Sequence, residues 1–206
     1  MTAIASPVRD QYEAFPYPPR DPGRELEQLH TTLIGQLALA NHALAGGRWA
    51  IGPGFHVLDA GCGMGLLRAP LKKSFPKARY VGMEYSEYLC ERFGWHHGSV
   101  ATWRTSQRFE LVICYDVLQY LDERAAAKAI ANLARWCRGV LYFSALTTED
   151  WRDNCDQEKT DKVPGLRPGA WYRRALQKHF DPMGCGLWIK RGAPLYAWEM
   201  DKGARV

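Results

Sequence analysis

The residues best suited to chemistry begin at His56, in the run His56-Val-Leu-Asp-Ala-Gly-Cys-Gly-Met-Gly. An apolar stretch delivers Asp59 and then glycines at 61, 63 and 65. Glycine there lets the backbone take positive φ and lets a ligand approach the main chain. In an open parallel sheet, such a turn lies at the carboxyl edge of a strand, where ligands bind. Several nucleotide-binding folds share a turn of this kind, so two further features narrow it. The run Arg79-Tyr-Val-Gly-Met ends at Glu84, and a carboxylate so placed can accept both hydroxyls of a ribose. The apolar run from Phe109 to Leu121 exits into Tyr115 and Asp116, which brings polar groups to the end of a neighbouring strand.

These residues need a scaffold, and the hydrophobic pattern supplies one. Short apolar runs predict strands near 55–60, 79–84, 94–98, 110–115, 138–145, 183–190 and 194–200. Helical periodicity predicts helices near 64–74, 86–92, 122–137 and 168–180. Pro70 is expected to kink the first of these or delay its start. Strands alternating with helices imply an α/β fold, a doubly wound and mostly parallel seven-stranded sheet. The last two runs are too close for a helical crossover and should form a C-terminal antiparallel hairpin around Gly192 and Pro194. Residues 1–50 read as an aromatic and proline-rich strap followed by an amphipathic helix over 25–45. That segment is taken as part of the same domain as residues 51–206.

The chain has 206 residues, 47% hydrophobic and 24% charged, with a net charge of +5. That balance predicts one globular domain and excludes global disorder. The charge is mild, and no block of like charges marks a nucleic-acid tail. No apolar stretch is long enough to span a bilayer, and the first residues lack a signal-peptide pattern. The expected location is therefore cytoplasmic, with no membrane partner. The six cysteines are scattered without a C-x-x-C pair. They read as reduced thiols, several of them in the core, and no metal site is expected.

Asp59-Ala-Gly-Cys-Gly-Met-Gly resembles motif I of the class I S-adenosylmethionine-dependent methyltransferases. Glu84 matches the acidic residue that this family places at the end of its second strand, and Glu110–Leu121 is similar to its fourth-strand motif. A dinucleotide fingerprint would instead place the third glycine one position beyond Gly65. The resemblance implies a Rossmann-like methyltransferase fold with S-adenosylmethionine as cofactor. It implies cofactor contacts from Asp59, Gly61, Cys62, Gly63 and Gly65, from Glu84 and Tyr85, and from Tyr115. Many members carry an acidic residue after the third strand, where this chain has Ser99. The adenine amine would then meet the Ser99 hydroxyl or backbone groups at Val100.

Methyl transfer needs positioning and exclusion of water, and a general base only if the nucleophile must lose a proton. Candidate bases are Asp116, His30 and His96, with His179 a further histidine in an expected helix. Asp116 has two other readings, orienting the amino group of the cofactor or capping the helix near Asp122. In the N-terminal run, Tyr12 or Tyr17 could face the sulfonium, or the segment could pack on the sheet edge. The stretch Thr147–Pro168 is either part of an acceptor pocket or a solvated crossover. Trp171-Tyr-Arg-Arg is either a clamp for an anionic or planar acceptor or a packed helix face. The function expected is methyl transfer to a small molecule. Its alternatives are transfer to RNA or protein, and a non-catalytic module that binds S-adenosylmethionine.

Overall fold

The computed structural model describes residues 54–193 apart from 159, 161 and 162. The expected strap and helix of residues 1–50, with Tyr12, Tyr17 and His30, lie outside the described residues, as does the strand expected over 194–200. Seven strands form one sheet: β1 (His56–Ala60), β2 (Arg79–Glu84), β3 (His96–His97), β4 (Phe109–Tyr115), β5 (Cys137–Ser144), β6 (Phe180–Gly184) and β7 (Leu187–Lys190). Their order is β3-β2-β1-β4-β5-β7-β6. The pairs among β1 to β5 are parallel, whereas β7 is antiparallel to both β5 and β6. The order reverses between β1 and β4, and the crevice at such a reversal is the usual ligand site.

Alternation along the strands separates two apolar layers. On one face, Leu58, Ala60, Val112, Cys114, Leu141 and Phe143 pack with two helices, α3 (Glu123–Trp136) and α5 (Gly169–Leu176). On the other, Val57, Leu111, Ile113, Val140 and Ile189 join Leu71 of α1 (Arg68–Ser74). α1 starts later than its apolar pattern suggests. Pro70 falls in its first turn, where the missing N–H is no loss. α2 (Glu87–Phe93) is capped by Ser86, whose hydroxyl accepts from Leu89, and it stops at Gly94 with φ 73°. Asp122 caps α3 by accepting from the amide of Ala125 at 2.7 Å. Asp116 therefore does not cap that helix.

The C-terminal part departs from the sequence expectation in its register. Residues 183–190 do not form one strand. The chain reverses at Gly184, Cys185 and Gly186, with φ of 97°, 50° and 75°. Two glycines reach that region at little cost, so a reversal falls inside the run expected as one strand. Among the described residues β7 pairs with β5 on one edge and with β6 on the other. The last helix is also shorter than expected. It ends at Leu176, His179 lies in the following turn, and Phe180 opens β6 fully buried.

The stretch after β5 is folded. α4 (Thr148–Asp153) opens with a reciprocal capping box between Thr147 and Asp150. Thr147 bridges Arg167, and the Thr148 amide donates to the Arg167 carbonyl at 3.1 Å. The base of this long loop is thus closed. No helix among the described residues is long and apolar enough to cross a membrane.

Candidate cofactor and acceptor site

The glycine turn leaves β1 at Ala60. The amides of Gly61 and Cys62 both donate to the carbonyl of Met83, at 2.7 and 3.1 Å, which ties the turn to β2. Gly61, Gly63 and Gly65 all have positive φ, at 85°, 51° and 75°. Their surroundings differ. A Cβ on Gly61 would run into Val117, and one on Gly65 would meet the Trp95 ring 2.5 Å away. On Gly63 it would meet nothing within 4 Å. Gly63 is therefore the residue of the turn whose face is open.

Glu84 stands beside that face. Its Oε2 accepts from the Gly63 amide at 2.8 Å. Its Oε1 accepts from the amides of Tyr85 and Ser86, at 2.8 and 3.0 Å. A carboxylate has about four lone-pair positions, so acceptor capacity remains beyond these bonds. Tyr85 follows, 65% exposed, and His97 meets the Tyr85 carbonyl at 3.0 Å through Nε2.

Asp59 and Cys62 are turned inward. Asp59 is buried and its Oδ2 accepts from the Tyr80 hydroxyl. Burial raises its pKa to about 7, aided by the nearby charge of Glu84 and opposed by the Tyr80 hydrogen bond. Burial also pushes the Cys62 thiol far up, with Asp59 and Glu84 adding to the effect, which keeps it protonated. In this structure the side chains of both residues support the turn from below.

After β3, the Ser99 hydroxyl accepts from the Ala101 amide at 3.2 Å, and the Ser99 carbonyl accepts from Thr102 and Trp103. Val100 is buried. The Asn132 side chain, buried within α3, donates to the carbonyls of Val100 and Ala101 at 2.9 and 3.0 Å. A buried amide in a helix thus fixes the loop that carries Ser99.

At the exit of β4, Tyr115 lies nearly parallel to Tyr142, with ring centroids 5.9 Å apart. Asp116 has φ 54°, a left-handed conformation uncommon outside glycine and a strain associated with functional sites. Its amide donates to the Ser144 carbonyl at 3.0 Å, and its Oδ1 accepts from the Ser144 hydroxyl at 2.9 Å. Burial raises its pKa, the Ser144 hydrogen bond opposes this, and the charge of Asp150 adds to it. A carboxylate so tuned holds a proton more readily than a solvated one.

The structure does not bring the two described histidine candidates here. His96 sits on β3, three strand positions from β4, roughly 14 Å at standard strand spacing. His179 lies beyond α5, and its pKa is lowered by burial and by Lys190, Lys178 and Arg191. In Trp171-Tyr-Arg-Arg the aromatic residues belong to a packed helix face, while Arg173 and Arg174 are exposed. Tyr172 is buried, and the Trp171 indole donates to Glu123 at 3.2 Å.

Several residues here were not singled out from sequence. Arg167 is buried, and its guanidinium donates to the carbonyls of Leu118, Gly165 and Leu121 and to the Tyr172 hydroxyl. Gln119, also buried, donates to the Asp116 carbonyl at 2.9 Å. Trp95 and Tyr80 pack beneath the glycine turn. Gly82 was the available signal for Trp95, since a glycine inside a strand often marks a close approach. A cavity of about 180 Å³ is lined by Arg68, Tyr80, Phe93, Trp95 and His96, and no residue from Gly61 to Gly65 lines it.

Residues 57–139 match a family model described as a methyltransferase domain. No curated protein matches the chain. Among solved structures, Streptomyces venezuelae DesVI is similar at 17% identity and a TM-score of 0.55, over 91% of this chain and 99% of that one. The N-methyltransferase NodS of Bradyrhizobium japonicum, crystallised with S-adenosyl-L-homocysteine, is similar at 16% identity and a TM-score of 0.53, over 92% and 94%. A chain of the Haloferax volcanii complex between the Trm112 methyltransferase activator and a methyltransferase is similar at 21% identity and a TM-score of 0.60, over 85% and 79%.

Proposed function

We propose that this chain is a class I S-adenosylmethionine-dependent methyltransferase, a reading supported by the methyltransferase-domain match over residues 57–139 and by the fold it shares with solved methyltransferases, and that it methylates a small molecule held near Asp116. The residues present fit the cofactor. Gly63 leaves an open face on the turn, and Glu84 stands next to it with acceptor capacity to spare. In this reading Glu84 takes the ribose hydroxyls, the open face of Gly63 receives the methionine side, and Ser99 with Val100 meets the adenine. When bound, S-adenosylmethionine supplies an electrophilic methyl group on a sulfonium.

The chain's own contribution is orientation and proton handling. Tyr115 offers an aromatic ring at the exit of β4, while Ser144 holds the Asp116 carboxylate at a fixed angle. Asp116 takes the proton that an acceptor hydroxyl or amine must lose. Burial raises its pKa above that of a solvated carboxylate, which makes it a stronger base than a solvated aspartate.

The observation that carries the small-acceptor reading is the closed insert after β5. Arg167 ties this insert to the turn beyond Asp116 at Leu118 and Leu121. Asp116, held in a left-handed backbone conformation, thus sits near a built loop, which suits an enclosed acceptor better than a broad polymer surface. The test is transfer of labelled methyl from S-adenosylmethionine to fractionated cell extract. Label is expected in the fraction of small metabolites. Label in RNA, with affinity that falls steeply with salt, or label in protein would overturn the small-acceptor reading. Cofactor binding without transfer to any fraction would favour a regulatory module.

A further inference from the structure

Trp95 stands one residue before β3, outside any motif of the turn. Its indole nevertheless reaches across β2 and donates from Nε1 to the carbonyl of Gly63 at 3.0 Å. The space it fills is left by two glycines. A Cβ on Gly65 would lie 2.5 Å from Trp95 Cζ2, and one on Gly82 would lie 2.5 Å from Trp95 Cε3. The ring is held on its other sides by Tyr80 at 5.8 Å, Phe93 at 6.1 Å and the Arg68 guanidinium at 5.5 Å. Tyr80 in turn donates to Asp59.

These contacts converge on one residue. The Gly63 amide is held by Glu84 and the Gly63 carbonyl by Trp95. The two peptide planes on either side of the Gly63 Cα are thereby fixed, which sets its φ of 51° and keeps its open face outward. Without the indole the carbonyl loses its partner, and the plane between Gly63 and Met64 is free to rotate. An open face that is not preformed binds with the ordering cost still to be met.

We infer that Trp95 is a positioning residue for cofactor binding, acting through the Gly63 peptide, and that Gly65 and Gly82 lack side chains to admit its ring. This rests on the cofactor site proposed above. It assigns two glycines to an indole and leaves Gly63 as the glycine of this turn that faces ligand.

The test measures S-adenosyl-L-homocysteine affinity by calorimetry on the full chain, with thermal melting beside it. Trp95→Phe keeps a ring in the space and removes the N–H. It should weaken binding roughly threefold to tenfold, the loss expected for one neutral hydrogen bond. Gly82→Ala reaches the turn through the indole, with the Cys62 sulfur its other close neighbour, and should also weaken binding. In a Trp95→Ala background the indole contacts are gone and only the Cys62 contact remains, so adding Gly82→Ala should cost clearly less affinity than it does in the parent. A purely structural tryptophan would lower the melting temperature in these variants and leave affinity unchanged. Binding within twofold of the parent in Trp95→Phe, or an equal Gly82→Ala effect with and without Trp95, overturns the inference. A parent that binds no S-adenosyl-L-homocysteine would instead sink the proposed cofactor site.

Discussion

Asp59 illustrates how a motif residue can be legible in type but not in task. Its place at the end of β1 suggests a ligand contact, yet its carboxylate is buried and engaged by Tyr80. A raised folded-state pKa means that the native state binds the proton more tightly than the unfolded chain. Stability is then lost as pH rises from about 4 to about 7, and the loss is flat above that. The full effect is on the order of 4 kcal/mol. Asp59→Asn removes the charge and can still accept from Tyr80. Its stability relative to the parent should climb across that window in denaturant titrations at several pH values. A parent-to-variant difference that is constant from pH 4.5 to 7.5 would show that Asp59 does not titrate there. Glu84 is the opposite case, exposed enough to act on a ligand while also holding Gly63. Glu84→Ala should weaken S-adenosylmethionine binding by roughly tenfold to several hundredfold. A carboxylate serving only the dipole of α2 would instead cost about 0.3–1 kcal/mol of stability. Affinity within twofold of the parent would disprove the ribose role. The glycine pattern announced the turn, but it gave three equal glycines. Only the neighbours Val117 and Trp95, distant in sequence, distinguish Gly61, Gly63 and Gly65.

Among the elements, the parallel strands were readable because each is a short apolar run bounded by a turn. β1, β2 and β4 fall within a residue or so of their expected ends. The C-terminal antiparallel hairpin was readable in kind but not in place, because its two arms are separated by just Cys185 and Gly186 and the whole stretch reads as one apolar run. The insert after β5 was recognisable as an interruption, but not what holds it. Arg167 looks in sequence like any surface arginine. In the fold it is buried, its guanidinium donates to three carbonyls and one hydroxyl, and it lies 5.1 Å from the Trp171 ring centroid. Arg167→Leu would leave the carbonyls of Leu118, Gly165 and Leu121 without this donor. The expected loss is about 2–4 kcal/mol in chemical denaturation. Arg167→Lys should recover only part of it, since a point charge cannot serve three diverging acceptors as a planar fork does. A loss under about 0.5 kcal/mol for Arg167→Leu would mean that the insert is held by other contacts.

For the molecule as a whole, the carboxyl ends of β1, β2 and β4 gather the glycine turn, Glu84 and Asp116 at one edge. A ligand that binds there and not to the unfolded chain must stabilise the fold. At 100 times its dissociation constant the gain is about 2.7 kcal/mol. For a chain of this size that corresponds to a melting shift of roughly 5–11 °C. S-adenosyl-L-homocysteine should produce it in a thermal scan, and no shift at saturating concentration would argue against a site at this edge. The strand order carries a further consequence, for synthesis at the ribosome. β7 is the later arm of its hairpin, yet it is the arm that pairs with β5. A nascent chain therefore completes β1 to β5, and then β6, while the far edge of β5 is still bare. That edge carries Val140, Leu141, Tyr142 and Phe143, all buried in the finished fold. An uncovered apolar edge is a template for pairing with other chains. A chain interrupted after Gly184 should accordingly partition into aggregates or onto chaperones, although every residue of the glycine turn has already been made.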